Sequence, residues 1–231
     1  MNNLLKSIFF LICFFQKVFC SISVVIPCHS NHFIYIENLL SELSNQSLIP
    51  NQVVVSVSSA NSQTKKGINE LIANNSYPFE LRILISEEEI LAGPNRNKGC
   101  RFAKGEIIIF QDADDLPHPQ RCEIINEIFM TENTSIVLHD WIDTKIDFTK
   151  DLFDVKSVKR IKFEDFKFFS NHKVQFGCPS IKKNVLTTNR WPNVYPGEDQ
   201  VFLRSVLKVF EYGIYLPYPL IKYRQEFSCG G

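Results

Sequence analysis

Three carboxylates fall within four positions, Asp112, Asp114 and Asp115, in the stretch IIIFQDADDLPHP covering residues 107 to 119. An apolar run leads into them and two prolines close them off. Alternation along an extended segment puts Asp112 and Asp114 on the same side, about 7 Å apart by strand rise. Two carboxylates so placed suit a hard divalent cation that binds oxygen and keeps positions open for phosphate oxygens. A lone Asp-x-Asp is a weak signal, because Asp and Pro are also ordinary turn residues. Its place at the end of a strand strengthens it, since open α/β sheets gather ligands at the carboxyl ends of parallel strands. A second acidic pair, Glu198-Asp199, opens the stretch PGEDQVFLRSVLKVFEYG. Taken alone, that pair is equally a first helical turn favoured by the helix dipole.

These carboxylates need a scaffold, and the chain beyond residue 20 alternates strand and helix. ISVVIPC is a continuous apolar run closed by Pro27, as in a strand buried on both faces. Phe33, Ile36, Leu39, Leu40 and Leu43 then recur at helical spacing, with Asn31 as the expected N-cap. QVVVSV and LRILIS are further strands, separated by a helix through Ile68, Leu71 and Ile72. A Gly-Pro-Asn turn at 93 to 95 introduces the helix RNKGCRFAKG, which Gly105 ends as a C-cap. EIIIF carries the acidic cluster, and a helix over 119 to 130 follows. SIVLHDW and VQFGCPSI read as later strands, residues 143 to 173 as an insertion or lid, and Glu198 to Tyr212 as a helix ending at Gly213. Repeated strand-helix units favour one α/β domain over residues 21 to 231, a mainly parallel sheet with helices on both faces.

Composition sets further bounds. The 231 residues allow one sizeable core, and 20 Phe make it bulky. Lys plus Arg and Asp plus Glu each number 25, so no basic excess points to nucleic acid. The amino terminus has a charge at Lys6 and an apolar run from Ile8 to Phe15, too short to span a bilayer. It fits a signal-peptide core or short anchor over residues 1 to 20, although Gln16-Lys17 sits where a clean signal keeps small neutral residues. Membrane association would run through residues 4 to 20. A secretory-lumen or membrane-associated location follows if the segment is a signal, and a cytoplasmic one if it is not. The sequons at Asn45, Asn74 and Asn133 would be usable in a lumen. The 7 cysteines contain no C-x-x-C pair, which disfavours zinc.

The blocks SISVVIPCHSN, GPNRNKGCRFAKGEIIIFQDADDLPHPQRCEII and PGEDQVFLRSV together resemble the successive motifs of family 2 glycosyltransferases of the GT-A fold. Their order and rough spacing match from about Ser21 onward. The resemblance implies an inverting glycosyltransferase, a hexosyl- or N-acetylhexosaminyl-transferase with a nucleotide-sugar donor and a glycan, protein or lipid acceptor. By the same resemblance Asp112 contacts the nucleotide ribose and assists the metal, Asp114 holds Mg²⁺ or Mn²⁺ on the donor diphosphate, and Asp115 orders the loop or serves as a secondary ligand. Arg96 is expected beside the diphosphate or the acidic motif. Pro27, Cys28 and His29 are expected along the nucleobase. Asp199 is assigned as the base that deprotonates the acceptor, with Glu198 its structural or acceptor-contacting neighbour. Trp191 and Tyr195 are a candidate platform for a sugar ring or plain core residues.

The sequence departs from the family pattern twice. The second strand usually ends in Asp-Asp-Gly-Ser, but here VSVSSAN puts Val57 and Ser58 at those positions. Ser58 can donate and accept a hydrogen bond but supplies no charged acceptor to a base. The usual closing Tyr-Arg-x-His is matched by Arg224, while Glu226 replaces the His and becomes a candidate metal ligand. These departures keep open a catalytically weakened relative acting as a binding or accessory protein. A nucleotidyltransferase is disfavoured, because PCHSNHF has no glycine for a phosphate loop.

Overall fold

A computed structural model of the protein describes residues 20–148, 158–165 and 174–224. Its strands are β1 (Ile22–His29), β2 (Gln52–Ser58), β3 (Glu80–Ile85), β4 (Ile107–Phe110), β5 (Leu116–Pro117), β6 (Ile136–Asp143), β7 (Lys159–Ile161), β8 (Ser180–Lys182) and β9 (Gly213–Tyr223). The α-helices are α1 (Ile36–Ser44), α2 (Ser62–Asn74), α3 (Ala92–Cys100), α4 (Arg121–Thr131) and α5 (Glu198–Val209). The strands form one sheet in the order β3-β2-β1-β4-β8-β6-β9-β5, with β7 added beside β9.

The parallel expectation holds for β3, β2, β1 and β4. Beyond β4 the sheet is mixed, because β8 runs antiparallel to both β4 and β6. No crossover helix is needed for such a pairing, and the chain enters β8 from the same end at which β4 finishes.

Both faces of β1, β2 and β4 are buried, which explains their unbroken apolar runs, whereas β3 at the edge is partly exposed. Val24, Ile26, Val53, Val55, Ile107 and Ile109 point to one side, where they meet the Leu39–Leu43 face of α1, Ile68 of α2 and Ile125 and Ile128 of α4. Val25, Val54, Ile108 and Phe110 point to the other, against Phe202, Leu203 and Val206 of α5. The Ile36, Leu39, Leu40, Leu43 periodicity is therefore the buried stripe of a helix, as read from the sequence.

Several boundaries differ from the sequence reading. Asn31 is not the cap; it lies inside a 3-10 helix (Ser30–Tyr35), and the His29 side chain accepts its amide hydrogen instead. Helix α3 begins at Ala92, so Pro94 sits in its first turn, where its missing N–H is harmless. The same helix ends at Cys100, and Gly105 lies beyond it with its amide donating to Ser23 Oγ at 2.8 Å. Helix α5 stops at Val209, and Gly213 opens β9. Most of VQFGCPSI is a loop, with only Ser180–Lys182 in the sheet. Of the 143–173 insertion, the described residues contribute the edge strand β7. Among the described residues no helix is long and apolar enough to cross a membrane.

Candidate active site at the strand ends

The parallel strands β1, β2 and β4 finish on the same edge of the sheet, and the sequence-expected residues gather there. Gln111 follows β4 and pairs its amide with Val25 O at 3.1 Å, so the strand end is fixed before the carboxylates begin. Asp112 then meets Arg96, whose Nη2 donates to Asp112 Oδ1 at 2.7 Å. The other terminal nitrogen, Nη1, donates to Glu198 Oε1 at 3.3 Å. One guanidinium from α3 thus joins the acidic strand end to the start of α5.

Arg96 is 3% exposed, and its guanidinium carbon lies 4.5 Å from the Trp191 ring centroid. Burial lowers its proton affinity, but the charges of Asp112 and Glu198 more than offset this and hold it above the ordinary value. Trp191 is itself core: it stacks on Phe202 at 4.1 Å and meets Phe110 edge-on at 5.0 Å. The platform reading for Trp191 is corrected accordingly, because both faces of its ring are occupied, by Arg96 and by Phe202. Tyr195 remains 60% exposed beside the α5 start.

The three carboxylates have different surroundings. Asp115 is buried; it accepts from Gln175 Nε2 at 2.9 Å and from the Arg224 amide at 3.0 Å. Burial, followed by the charge of Asp112, pushes its carboxyl well above the ordinary value. Both of its oxygens thus tie the acidic loop to neighbouring segments. Asp114 stays partly accessible, with Oδ2 3.7 Å from His32 Nδ1. Burial first, and then the charge of Asp112, raises its carboxyl. Asp112 keeps Oδ2 clear of Arg96, facing Gly177, where an added Cβ would stand 2.9 Å away.

Three potential ligand atoms lying within 4.8 Å of one another belong to Asp112, Asp115 and Cys178. Cys178 is a poor member of that set, because burial and the acidic neighbours push its thiol well above the ordinary value. The two oxygens of Asp115 are already engaged. The partly accessible hard-oxygen donors are Asp112 and Asp114, and their mutual repulsion is what a divalent cation would offset. The residues therefore fit Mg²⁺ or Mn²⁺ better than a soft metal.

The β1 end contributes Cys28 and His29 to the same edge. Cys28 is buried, its thiol pushed up to about 12 by burial and by Asp114, and its Sγ donates to His29 O at 3.2 Å. That thiol is no nucleophile. Ser58 closes β2 fully buried, and its hydroxyl has no hydrogen-bond partner among the described residues. Arg224 sends Nε to Asp114 O at 3.1 Å and lies 4.6 Å above the Tyr35 ring. It braces the acidic loop rather than projecting into open space. Glu226 lies outside the described residues. Asp199 stands in the first turn of α5, which Gly197 enters with φ 99°, a left-handed conformation that suits glycine. Burial, opposed by the Gln200 amide and reinforced by Glu198, raises the Asp199 carboxyl.

Four contributors escaped the sequence reading. Gln175 and Gly177 come from a stretch read as strand. His32 lacked any pattern. Arg121 is fully buried and ties Gln111 Oε1, Phe110 O and Cys178 O together at 2.7 to 2.9 Å. The QRC sequence after the prolines gave no hint of that role beyond the cost of burying a charge.

The strand order and the helices packed on it define an α/β fold of the GT-A type. The family model for glycosyl transferase family 2 matches residues 23–186, and the chain belongs to that family. Its relatives include the uncharacterized glycosyltransferase MJ1057 of Methanocaldococcus jannaschii, 24% identical over 88% of this chain and 70% of its own. An uncharacterized glycosyltransferase of Haemophilus influenzae is 25% identical over 51% of this chain and 38% of its own. Among solved structures, Staphylococcus aureus TarS 1-349 in complex with UDP-GlcNAc superposes with a TM-score of 0.70 at 16% identity, over 89% of this chain and 59% of that one. The mannosyltransferase PcManGT from Pyrobaculum calidifontis, in complex with GDP-Man and Mn2+, gives 0.58 at 16% identity, over 93% and 62%. This chain thus spans about 60% of each of those two structures.

Proposed function

We propose that the protein is an inverting glycosyltransferase that moves a sugar from a nucleotide-diphosphate donor to an acceptor hydroxyl with the help of a divalent cation. The observation that carries this reading is the double grip of Arg96 on Asp112 and Glu198, which brings the acidic strand end and the α5 start to one cleft. The donor lies across the ends of β1, β2 and β4, with the ribose toward Asp112 and the base toward Pro27, Cys28, His29 and Ser58. Asp112 and Asp114 hold the cation, which when bound supplies positive charge to the departing diphosphate.

Asp199 accepts the proton of the acceptor hydroxyl, whose oxygen then bonds to the anomeric carbon as the carbon–phosphate-oxygen bond breaks. One base suffices for such direct displacement, and the configuration inverts. Glu198 neutralises Arg96 and so keeps a buried cation from competing for Asp199. Gln175 and Arg224 fix Asp115, which in turn fixes the loop carrying Asp114. The N-terminal segment, residues 1 to 20, is read as a signal or short anchor that associates with a membrane or directs the chain to a lumen.

A donor screen tests the reading. Purified protein with Mn²⁺ and UDP-, GDP- and dTDP-sugars should release nucleotide diphosphate from at least one donor, and chelation should stop the release. Absence of both turnover and metal-dependent nucleotide binding with every donor rejects it.

A further inference from the structure

A second concavity, of about 440 Å³, lies between the end of α3 and the 3-10 helix Lys183–Thr187 that follows β8. Exposed Arg101, Lys183 and Arg190 line it around buried Cys100 and Leu186. No carboxylate lines it. Among the described residues none of these three cations stands in an ion pair; Arg190 donates to its neighbour's carbonyl, Asn189 O, at 2.9 Å. Three unpaired cations around a neutral hollow repel one another, and an anion seated there would relieve that repulsion.

The hollow sits at the opposite edge of the sheet from the acidic cleft. Helix α3 starts at Ala92, passes the cleft at Arg96 and ends one turn later at Cys100; β8 likewise leads away from Phe110 toward Ile107. The N-terminal segment joins the fold at this same edge. Ser21 donates its amide to Glu106 Oε2 at 3.3 Å, and Lys183 donates its own to Glu106 O at 2.8 Å. One residue therefore links the start of β1 to the cationic hollow. The apolar run from Ile8 to Phe15 is shorter than a bilayer span, and a single short apolar attachment holds weakly unless a basic patch adds to it.

We propose that the hollow formed by Arg101, Lys183 and Arg190 binds the phosphate headgroups of an anionic lipid surface, and that it acts with residues 4 to 20 to seat the protein on a membrane. The seating leaves the strand ends and their carboxylates facing away from the bilayer, open to an acceptor in the aqueous phase. It rests on the reading of the N-terminal segment as membrane-associating, and the two are separable by experiment.

The full chain is titrated against phosphatidylcholine vesicles and against vesicles with added phosphatidylglycerol. Each surface cation contributes about fivefold, so the phosphatidylglycerol preference should be on the order of a hundredfold at low salt and should shrink as salt rises. The variant R101Q/K183Q/R190Q should lose that preference, and the charge-matched control K65Q/K66Q/K145Q should keep it. Loss of phosphatidylcholine binding after deletion of residues 4 to 20, with the preference retained, would support both attachments as independent. A wild-type chain that ignores phosphatidylcholine yet keeps a preference dependent on the three cations would refute the apolar attachment and uphold the hollow. The proposal is overturned if the triple variant keeps the preference, or if free inorganic phosphate at matched charge occupies the hollow as tightly as the lipid surface does.

Discussion

Arg96 and Asp112 are joined at 2.7 Å, and the arginine is buried while its partner keeps one oxygen free toward Gly177. The pair is more than a surface contact, because the guanidinium also holds Glu198 and lies against Trp191. Arg96→Met leaves two neighbouring carboxylates without their cation. Breaking a buried pair costs about 3–5 kcal/mol; the partners here are partly open to water, so the expected loss is about 2–3 kcal/mol. Arg96→Lys restores charge but not the two-armed grip, and should recover stability more than activity. Urea unfolding read beside donor turnover separates the two effects.

Gly177→Ala places a Cβ 2.9 Å from Asp112 Oδ2 and 3.2 Å from Arg96 Nη2. Both atoms end movable side chains, so the fold should lose about 1 kcal/mol or less. The displaced carboxylate should cost activity on the order of 10- to 100-fold. A large loss of stability with activity intact would contradict the placement of this loop.

The Asp199 carboxyl is raised by burial first and then by Glu198. A general base must be unprotonated, so the acidic limb of kcat/KM should lie above the ordinary aspartate value. Glu198→Gln removes a raising charge and should move that limb toward lower pH. A limb that stays in place, or moves upward, contradicts the pairing of these neighbours.

His139 is buried in β6, and burial followed by the charge of Arg121 pulls its imidazole down to about 3. It is neutral in the fold and can charge only on unfolding. The stability this contributes is complete above its unfolded value of about 6.5 and is lost as pH falls from there toward 3. The expected slope is about 1.4 kcal/mol per pH unit at most within that window. Asp114 and Asp115, whose carboxyls are raised, act with the opposite sign and lose their contribution as pH rises. Comparing unfolding of wild type and His139→Gln across pH 4 to 7 isolates the histidine; equal slopes would refute its buried neutral state.

Much of this was legible in the sequence where a local pattern carried it. The apolar runs of β1, β2 and β4 encode strands covered on both faces, and their termination at Pro27, Ser58 and Asp112 encodes a shared edge. The identity of Asp112, Asp114 and Asp115 as a cluster needed only spacing. What spacing cannot express is contact between distant segments. Glu198 lies 102 positions from Arg96, and nothing local says that they share a hydrogen bond. Gln175, Gly177 and Cys178 read as strand within VQFGCPSI, yet they lie in a loop packed against Asp112 and Asp115. Trp191 read as either a sugar platform or core, because nothing local says that Phe202 would cover it. Boundaries moved for a related reason: α3 starts before its first polar residue, because Gly93 and Pro94 tolerate a first turn that no side chain caps.

The central claim is that Asp199 acts on the acceptor while Asp112 and Asp114 hold the donor side. Its most direct test is to measure sugar transfer and nucleotide binding, with Mn²⁺, for wild type, Asp199→Asn and Asp114→Ala on whichever donor the screen selects. The account predicts that Asp199→Asn abolishes transfer with nucleotide affinity unchanged, and that Asp114→Ala weakens both. Transfer at the wild-type rate in Asp199→Asn, or unaltered metal-dependent binding in Asp114→Ala, would contradict it.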